Sequence, residues 1–331
     1  MDSAISGYRY LSSVMGDAMQ LSDRIGRRLK LQDLHVLMTV AQAGSMSKAA
    51  ALLNTGQSSI SRSIAELEQS IGVRLLDRNP LGVAPTAYGR SLLEGGTAIF
   101  DELRQTIKKI EFLTDPTAGE VRIGCSPLFT ASFVSAVVDR VSQRYPRVEF
   151  QILSAPIETV HYELGERNVD LLIVRRAGPV VDERLNFEFL FDDSLVVVAS
   201  AQHPWAQRRK ITPAELARGL WVLPEPEYVL GADIMAAFHA NGLECPRATV
   251  GTVSPEVRMR LVATGRFLTI FPASALRFPV KRPELKVLPV ELPMASVPNG
   301  IVTLKDRTLS PVAQLFIEHA REVAKPLTKK R

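Results

Sequence analysis

Cysteine is nearly absent from this chain. Cys125 and Cys245 are the only two in 331 residues, and neither has a second thiol nearby. That excludes a CxxC metal site and a disulfide framework, and leaves a buried structural thiol as the expectation for each. Histidine is also sparse: His35, His161, His203, His239 and His319 never fall at the i, i+4 or short-loop spacings of a metal site. No apolar run approaches the ~18 to 20 residues of a membrane span. The N-terminus opens on acidic and polar residues in place of a basic n-region and an apolar h-region. A cytoplasmic protein with no membrane partner is expected. Catalytic signatures are missing too. There is no GxGxxG after a strand, no Walker GxxxxGKS/T, no GxSxG elbow, and no nucleophile and base at recognisable spacing. A doubly wound enzyme is therefore disfavoured, and neither cofactor nor metal is expected.

What is present is a soluble globular composition, 46% hydrophobic and 23% charged, with length for two or three domains. The net charge of +5 is modest, but it is unevenly placed. Between Arg24 and Arg90 lie Arg24, Arg27, Arg28, Lys30, Lys48, Arg62, Arg74, Arg78 and Arg90, against only Asp33, Glu66, Glu68 and Asp77. This local excess equals that of the whole chain. A phosphate backbone attracts such a patch, although ordinary solvation explains each residue singly.

The same stretch carries the strongest pattern. From about Leu31, residues Leu34, Leu37, Met38 and Ala41 repeat as one buried helical face, and Gly44 ends the helix. Ser45 is placed to cap a second helix whose Met46, Ala49, Ala50 and Leu53 share a face, with small residues where another helix packs closely. Asn54-Thr55-Gly56 is a turn. From Gln57 a third helix carries Ile60, Ile64, Leu67 and Ile71 inward and presents Ser58, Arg62, Ala65 and Gln69 on its other side, with Gln57 and Ser61 near its leading end. A basic wing follows. This layout puts the third helix into a DNA major groove. Gln pairs bidentately with adenine, Arg with guanine, and Ser with base edges or phosphates. The candidate DNA contacts are Gln57, Ser58, Ser59, Ser61 and Arg62, with Ser45 and Lys48 from the preceding helix and Arg78 from the wing.

Residues 31 to 90 resemble the winged helix-turn-helix of the LysR-type transcriptional regulators. The resemblance rests on Ala49-Ala50, Gln57, Ser61-Arg62, Leu67-Glu68, Ile71-Gly72-Val73, Leu75-Leu76-Asp77-Arg78 and Thr86-Ala87-Tyr88-Gly89. Three positions depart from the family pattern: Gly56 where a capping Ser or Thr is common, Ser58 where Pro is common, and Leu76 where Phe is common. Gly at an N-cap costs only a few tenths of a kcal/mol relative to Ser, so the helix geometry is expected to survive.

Thr86 is placed to cap a long helix reaching about Leu113, along which Leu93, Gly96, Phe100, Leu103, Ile107 and Ile110 alternate at three- and four-residue intervals. The spacing fits a coiled-coil seam or an ordinary core face. Because no other core for this helix is evident in the sequence, Leu93, Phe100, Leu103, Ile107 and Ile110 are read as dimerisation residues. Two recognition helices would then read two half-sites.

After the turn-rich Thr114 to Gly119, β and α segments alternate. Strands are expected over 120–125, 148–154, 169–174, 195–199, 249–253, 267–271 and 299–304. Helices are expected over 131–145, 158–167, 232–241 and 255–264, and after Thr212-Pro213-Ala214-Glu215 and Ser310-Pro311. Such alternation predicts parallel sheets with helices on both faces, in two lobes joined by crossing strands that can hinge. This half resembles the periplasmic-binding-protein-like effector domain of the same family. The expected fold is therefore α+β multidomain. It divides into an N-terminal extension (1–27), a winged helix-turn-helix (28–89), and a linker and dimerisation helix with hinge (90–119). The two-lobed α/β effector domain (120–325) has lobe I at about 120–194 and 297–325 and lobe II at about 195–296, and a basic tail (326–331) ends the chain. The extension precedes the usual family start and is read as disordered, or as the product of an upstream start codon, with Met15 and Met19 close behind.

Ser126-Pro127-Leu128 follows the first strand of that half, where backbone N–H groups and a helix start can bind a ligand oxygen. Ser254 opens a helix facing the same cleft by family analogy, and Val174 and Phe271 end strands at its rim. Each Ser is equally readable as a helix cap. Arg175-Arg176 and Arg258-Arg260 read either as surface charges or as an attraction for an anion. The resemblance implies a homo-oligomer, a dimer or a dimer of dimers, that binds double-stranded promoter DNA, answers to a small-molecule effector and contacts RNA polymerase.

Overall fold

The computed structural model describes residues 29–79, 82–176, 182–277, 284–290 and 296–328. The expected extension, with Arg24 and Arg27, the following Arg28, and the last three residues of the basic tail lie outside these ranges. The chain divides into two compact units between Leu103 and Arg104. Among the described residues no helix is long and apolar enough to cross a membrane.

The first unit contains α1 (Leu31–Ala43), α2 (Met46–Leu52) and α3 (Gln57–Ile71), a hairpin of β1 (Leu76–Asn79) and β2 (Gly82–Pro85), and the opening turns of α4 (Ala87–Thr114). Leu34, Leu37 and Val40 of α1, Ala49 and Ala50 of α2, and Ile60, Ile64 and Leu67 of α3 form one core. Gly44 ends α1 in the left-handed region at φ 64°, where its N–H donates to Val40 O. Ser45 occupies the N-cap position of α2, but its hydroxyl makes no cap bond. Its expected capping role is thus corrected to an extended backbone turn. Asn54 turns the chain toward α3 at φ 49°.

The seam expected along α4 is divided. Leu93 and Phe100 pack into the core of the first unit, with Phe100 and His35 ring centroids 5.8 Å apart. A Cβ at Gly96 would lie 3.0 Å from Leu34 Cδ1. The helix therefore has a core to pack on, which α1 supplies, and Leu93 and Phe100 are corrected from partner-facing to intramolecular. Leu103, Ile107 and Ile110 remain exposed, together with Ile99 and Leu113.

The second unit is built on two five-stranded sheets. Sheet one has the order β4-β3-β5-β12-β6, from β3 (Ala118–Cys125), β4 (Arg147–Ser154), β5 (Leu171–Arg175), β6 (Leu185–Asp193) and β12 (Val297–Leu304). Sheet two has the order β11-β7-β10-β8-β9, from β7 (Leu195–Ser200), β8 (Leu220–Leu223), β9 (Ala248–Gly251), β10 (Phe267–Pro272) and β11 (Leu285–Val287). Read from β4 and from β9, the two orders match. Three parallel strands are followed by one antiparallel strand, β12 in sheet one and β7 in sheet two, and then an edge strand. The sheets are thus mixed where parallel ones were expected. β7 follows β6 across Ser194 out of sheet one, and β12 follows β11 out of sheet two, so each antiparallel strand enters its sheet from the other lobe.

Helices cover both faces of sheet one. α5 (Ser135–Arg144) and α9 (Pro311–Ala324) bury Val137, Val141, Phe316 and Ile317 on one face. α6 (Ile157–Gly165) buries Val160 and Leu164 on the other. In sheet two, α7 (Val229–His239) packs Ile234 and Phe238 with Trp221, and α8 (Pro255–Ala263) covers the opposite face with Met259 and Val262. The Glu215 carboxylate accepts from the Thr212 backbone N–H at 2.9 Å and hydroxyl at 2.8 Å, closing the one-turn helix Pro213–Leu216. The helix expected from Ala131 begins earlier, at Pro127, and reaches α5 through a π-helical turn at Thr130–Val134.

Candidate functional sites

In the first unit, α3 presents Gln57, Ser58, Ser59, Arg62, Ala65 and Gln69 to solvent, while Ser61 is half-buried. Lys48 and Arg78 are exposed as well. Gln57 Oε1 accepts from the Ser47 hydroxyl at 2.9 Å, which ties the amide at the start of α3 to the preceding helix. The back of α3 is anchored. The Ser63 hydroxyl donates to Asp33 Oδ1 at 2.6 Å, and Glu68 Oε1 accepts the backbone N–H groups of Leu75 at 2.7 Å and Leu76 at 3.2 Å. Glu68 thus fixes the wing to the reading helix by charge-assisted hydrogen bonds.

The wing pairs Arg78 with Val83, and the Val83 N–H donates to Gly44 O at 2.9 Å. The Thr86 hydroxyl donates to Arg74 O at 2.8 Å and accepts from the Gly89 N–H at 3.0 Å. A Cβ on Gly89 would lie 2.0 Å from Leu75 O. Thr86 therefore caps α4 and locks it to the wing, which explains why Thr86 and Gly89 stand together. Ser63, Glu68 and Thr86 position the contacts without facing outward. Glu68 was visible in the sequence only as part of a motif, Thr86 also as the expected cap of α4, and Ser63 carried no signal.

In the second unit a cavity of about 250 Å³ opens where six strands end. Ser126 to Phe129 follow β3, Ser154 to Glu158 follow β4, and Ile173 to Arg175 end β5. From sheet two come Pro224 after β8, Val253 after β9, and Pro272 and Ser274 at and after β10. Both sets of parallel strands point their C-terminal ends at one space, the place where open α/β sheets bind ligands. Tyr228, Val229 and Leu230 at the start of α7, and Arg258 of α8, complete the wall.

Ser126, Pro127, Leu128 and Val174 line this cavity. Ser254 and Phe271 do not. The Ser254 hydroxyl accepts from the Val257 N–H at 3.3 Å, a helix cap. Phe271 is fully buried, and the Arg258 guanidinium lies 4.2 Å from its ring centroid. The rim position expected for Phe271 is thus corrected to a layer behind Arg258, because the ring points to the α8 side of sheet two. Of the paired arginines, one of each turns inward. Arg176 stacks on Phe187 at 4.7 Å, and Arg260 pairs with Glu256 at 2.9 Å in solvent, whereas Arg175 and Arg258 line the cavity.

The charges around the cavity are specific. Arg175 Nε donates to Asp233 Oδ2 at 3.0 Å, joining the end of β5 in sheet one to α7 over sheet two. Arg258 Nε donates to Thr269 Oγ1 at 3.0 Å and its Nη2 to Ile270 O. Burial pulls the pKa of the Arg258 guanidinium down to about 9. Asp193, at the crossover, accepts the Ser274 hydroxyl at 2.5 Å and the Ser274 N–H at 3.2 Å; burial raises its pKa against these bonds. The Cys125 thiol is buried at the end of β3 beside Thr130 and its pKa is pushed up to about 11, chiefly by burial. It stays protonated and unreactive at neutral pH.

Residues 31–90 match the family described as bacterial regulatory helix-turn-helix protein, lysR family, and residues 114–325 match the LysR substrate binding domain. This chain belongs to the LysR family of transcriptional regulators. It is 27% identical over 306 residues to the uncharacterized HTH-type transcriptional regulator YdcI of Escherichia coli K12, spanning 92% of this chain and 99% of that protein. Among solved structures it resembles a full-length OxyR variant from Pseudomonas aeruginosa, with a TM-score of 0.64 at 20% identity, covering 92% of this chain and 99% of that one. It also resembles full-length CbnR complexed with its target DNA, with a TM-score of 0.51 at 19% identity, covering 89% of this chain and 100% of that one. At such identities the likeness is one of fold.

Proposed function

We propose that this LysR-type regulator reads promoter DNA through the outer face of α3 and that a small molecule in the cavity of the second unit changes its activity there. The observation that carries the reading is one chain holding an exposed Gln57–Ser58–Arg62 face braced to a wing, and a cavity at the strand ends of two crossing lobes. The cavity is read as a binding site, in keeping with the LysR substrate binding domain that residues 114–325 match. A ligand touching both lobes favours one arrangement of them. In an oligomer this shifts the population of DNA-bound geometries, and so DNA bending and contact with RNA polymerase. The site of action is the cytoplasm, where promoter DNA is.

Capture of genomic fragments on the purified protein at physiological salt tests the DNA reading. An interrupted palindrome should emerge. Arg62→Ala should cost about 1 to 3 kcal/mol on that site and relax preference at one base position, whereas Arg78→Ala should weaken every sequence alike and flatten the salt dependence. An equal loss on all sequences would make Arg62 a phosphate contact, and enrichment without a shared motif would remove sequence-specific reading altogether.

The exposed part of α4 is assigned to a second copy. Ile99, Leu103, Ile107, Ile110 and Leu113 recur at three- and four-residue steps, and Leu113 is 73% exposed. A continuous apolar stripe of this kind on one helix marks an interface. Leu103→Asp with Ile107→Asp should give a monomer by light scattering and weaken binding to the full palindrome more than tenfold. A dimer that persists in the double variant would move the interface elsewhere.

A further inference from the structure

We propose that the molecule taken up by this cavity is a small organic anion, one carboxylate on an apolar body, and that its carboxylate docks on Arg175 beneath the Arg175–Asp233 bridge between the lobes. The inference rests on the reading of the cavity as the effector site and specifies its ligand.

Arg175 is the last residue of β5, and its side chain is only 10% exposed. A guanidinium carries five N–H donors in a planar fork and accepts nothing. Here Nε is used by Asp233, while Nη1 and Nη2 are buried without a hydrogen-bond partner. Unmade hydrogen bonds of a buried cation are the costly kind, so the position is stable only if something supplies acceptors. The two free nitrogens belong to a residue of the cavity wall, and the two oxygens of a carboxylate match such a fork.

The charge balance points the same way. Arg258 is a second buried guanidinium on the wall, and among the described residues no carboxylate pairs with it. Of the acidic groups nearby, Asp233 is engaged with Arg175, Asp193 is held by Ser274, and Glu158 is exposed at the rim. Asp233 is thus committed to the bridge and Asp193 to Ser274, and neither supplies an acceptor to the two free nitrogens of Arg175. An acceptor brought in by the ligand completes the fork.

The body of the ligand follows from the rest of the wall. Leu128, Ile157, Val174, Tyr228 and Leu230 offer apolar surface, which suits a branched chain or a ring. A cavity of about 150 Å³ suffices for benzene, and this one measures about 250 Å³, so a ring with a carboxylate fits. The bound carboxylate would share its guanidinium with Asp233, and Arg175 is thereby placed to couple occupancy to the relative position of the two lobes.

Calorimetry and thermal shift on the full-length protein test this with isovalerate, phenylacetate and cyclohexanecarboxylate, each against its neutral amide, and with inorganic phosphate. At least one carboxylate should raise the melting temperature and bind at least tenfold more tightly than its amide, and Arg175→Gln should remove that preference. The comparison of acid with amide in the unaltered protein does not depend on how the variant folds. Amides binding as well as acids, phosphate alone binding, or no carboxylate producing a shift would each overturn the anion assignment. Val174→Trp, which fills the cavity, separates this from failure of the site itself. A neutral ligand excluded by the Trp leaves the cavity reading standing and the anion assignment refuted. Carboxylates that bind the Trp variant undiminished refute both.

Discussion

Asp170→Ala should destabilise the second unit by about 3 to 5 kcal/mol, the range for removing one partner of a buried ion pair. Asp170 is 1% exposed and sits just before β5. Its Oδ1 accepts Arg307 Nη2 at 2.9 Å, and its Oδ2 accepts the Arg122 backbone N–H at 2.8 Å. Arg307, wholly buried in its side chain, also donates to the carbonyls of Val169 and Arg167. One carboxylate therefore joins β3, the start of β5 and the segment after β12, three neighbours in the interior of sheet one. Alanine would leave a buried guanidinium without its counter-charge and an orphaned amide. Urea unfolding followed by far-UV circular dichroism checks this, and Asp170→Asn, which keeps an acceptor, should cost less. A midpoint unmoved in Asp170→Ala would mean that sheet one draws nothing from the pair.

The second large effect belongs to the first unit. Gly89→Ala puts a methyl 2.0 Å from Leu75 O and 3.0 Å from Leu75 C. Both atoms are backbone, so no rotamer relieves the clash, and Leu75 O is also the acceptor for the Thr86 N–H at 2.9 Å. Either α4 or the wing must move. We expect a loss of about 3 kcal/mol, the upper part of the range for overpacking, together with at least tenfold weaker promoter binding through the displaced wing. Gly56→Ala is the matched control, since its nearest neighbour would be Ser58 Oγ at 3.6 Å. Equal melting temperatures for the two variants would show that α4 rotates away at little cost.

The first unit was legible because its signals are local. The 3.6-residue period of Ile60, Ile64 and Leu67, the stop at Gly44 and the cap at Thr86 each speak within a few positions. The seam along α4 misled for the same reason: periodicity says that a face is apolar, not what covers it, and α1 covers Leu93 and Phe100 while Ile107 and Ile110 stay bare. In the second unit the other parallel strands, β7, β12 and most of the helices could be read, but β6, β8 and β11 could not. β8 and β11 are short, and β6 lacks a clean alternation at the sheet edge. The cavity was half legible. Ser126 and Val174 follow from strand ends, whereas choosing Arg175 over Arg176, or Arg258 over Arg260, requires knowing which side of a strand or helix meets the other lobe. Asp233, distant in sequence and on a helix with no motif, gave no sign at all.

The exchange of strands between the lobes orders events during synthesis. β12 lies between β5 and β6, yet it leaves the ribosome about a hundred residues after β6 ends at Asp193. For that interval sheet one has two open edges facing each other across a missing strand, the kind of exposure that invites mispairing. The helix-turn-helix, whose contacts are all local, is complete long before. A message cut short between Asp193 and Val297 therefore does not yield a smaller regulator. It yields a DNA reader tethered to a sheet that lacks its inner strand, able to occupy an operator but with no finished cavity through which to be told to respond.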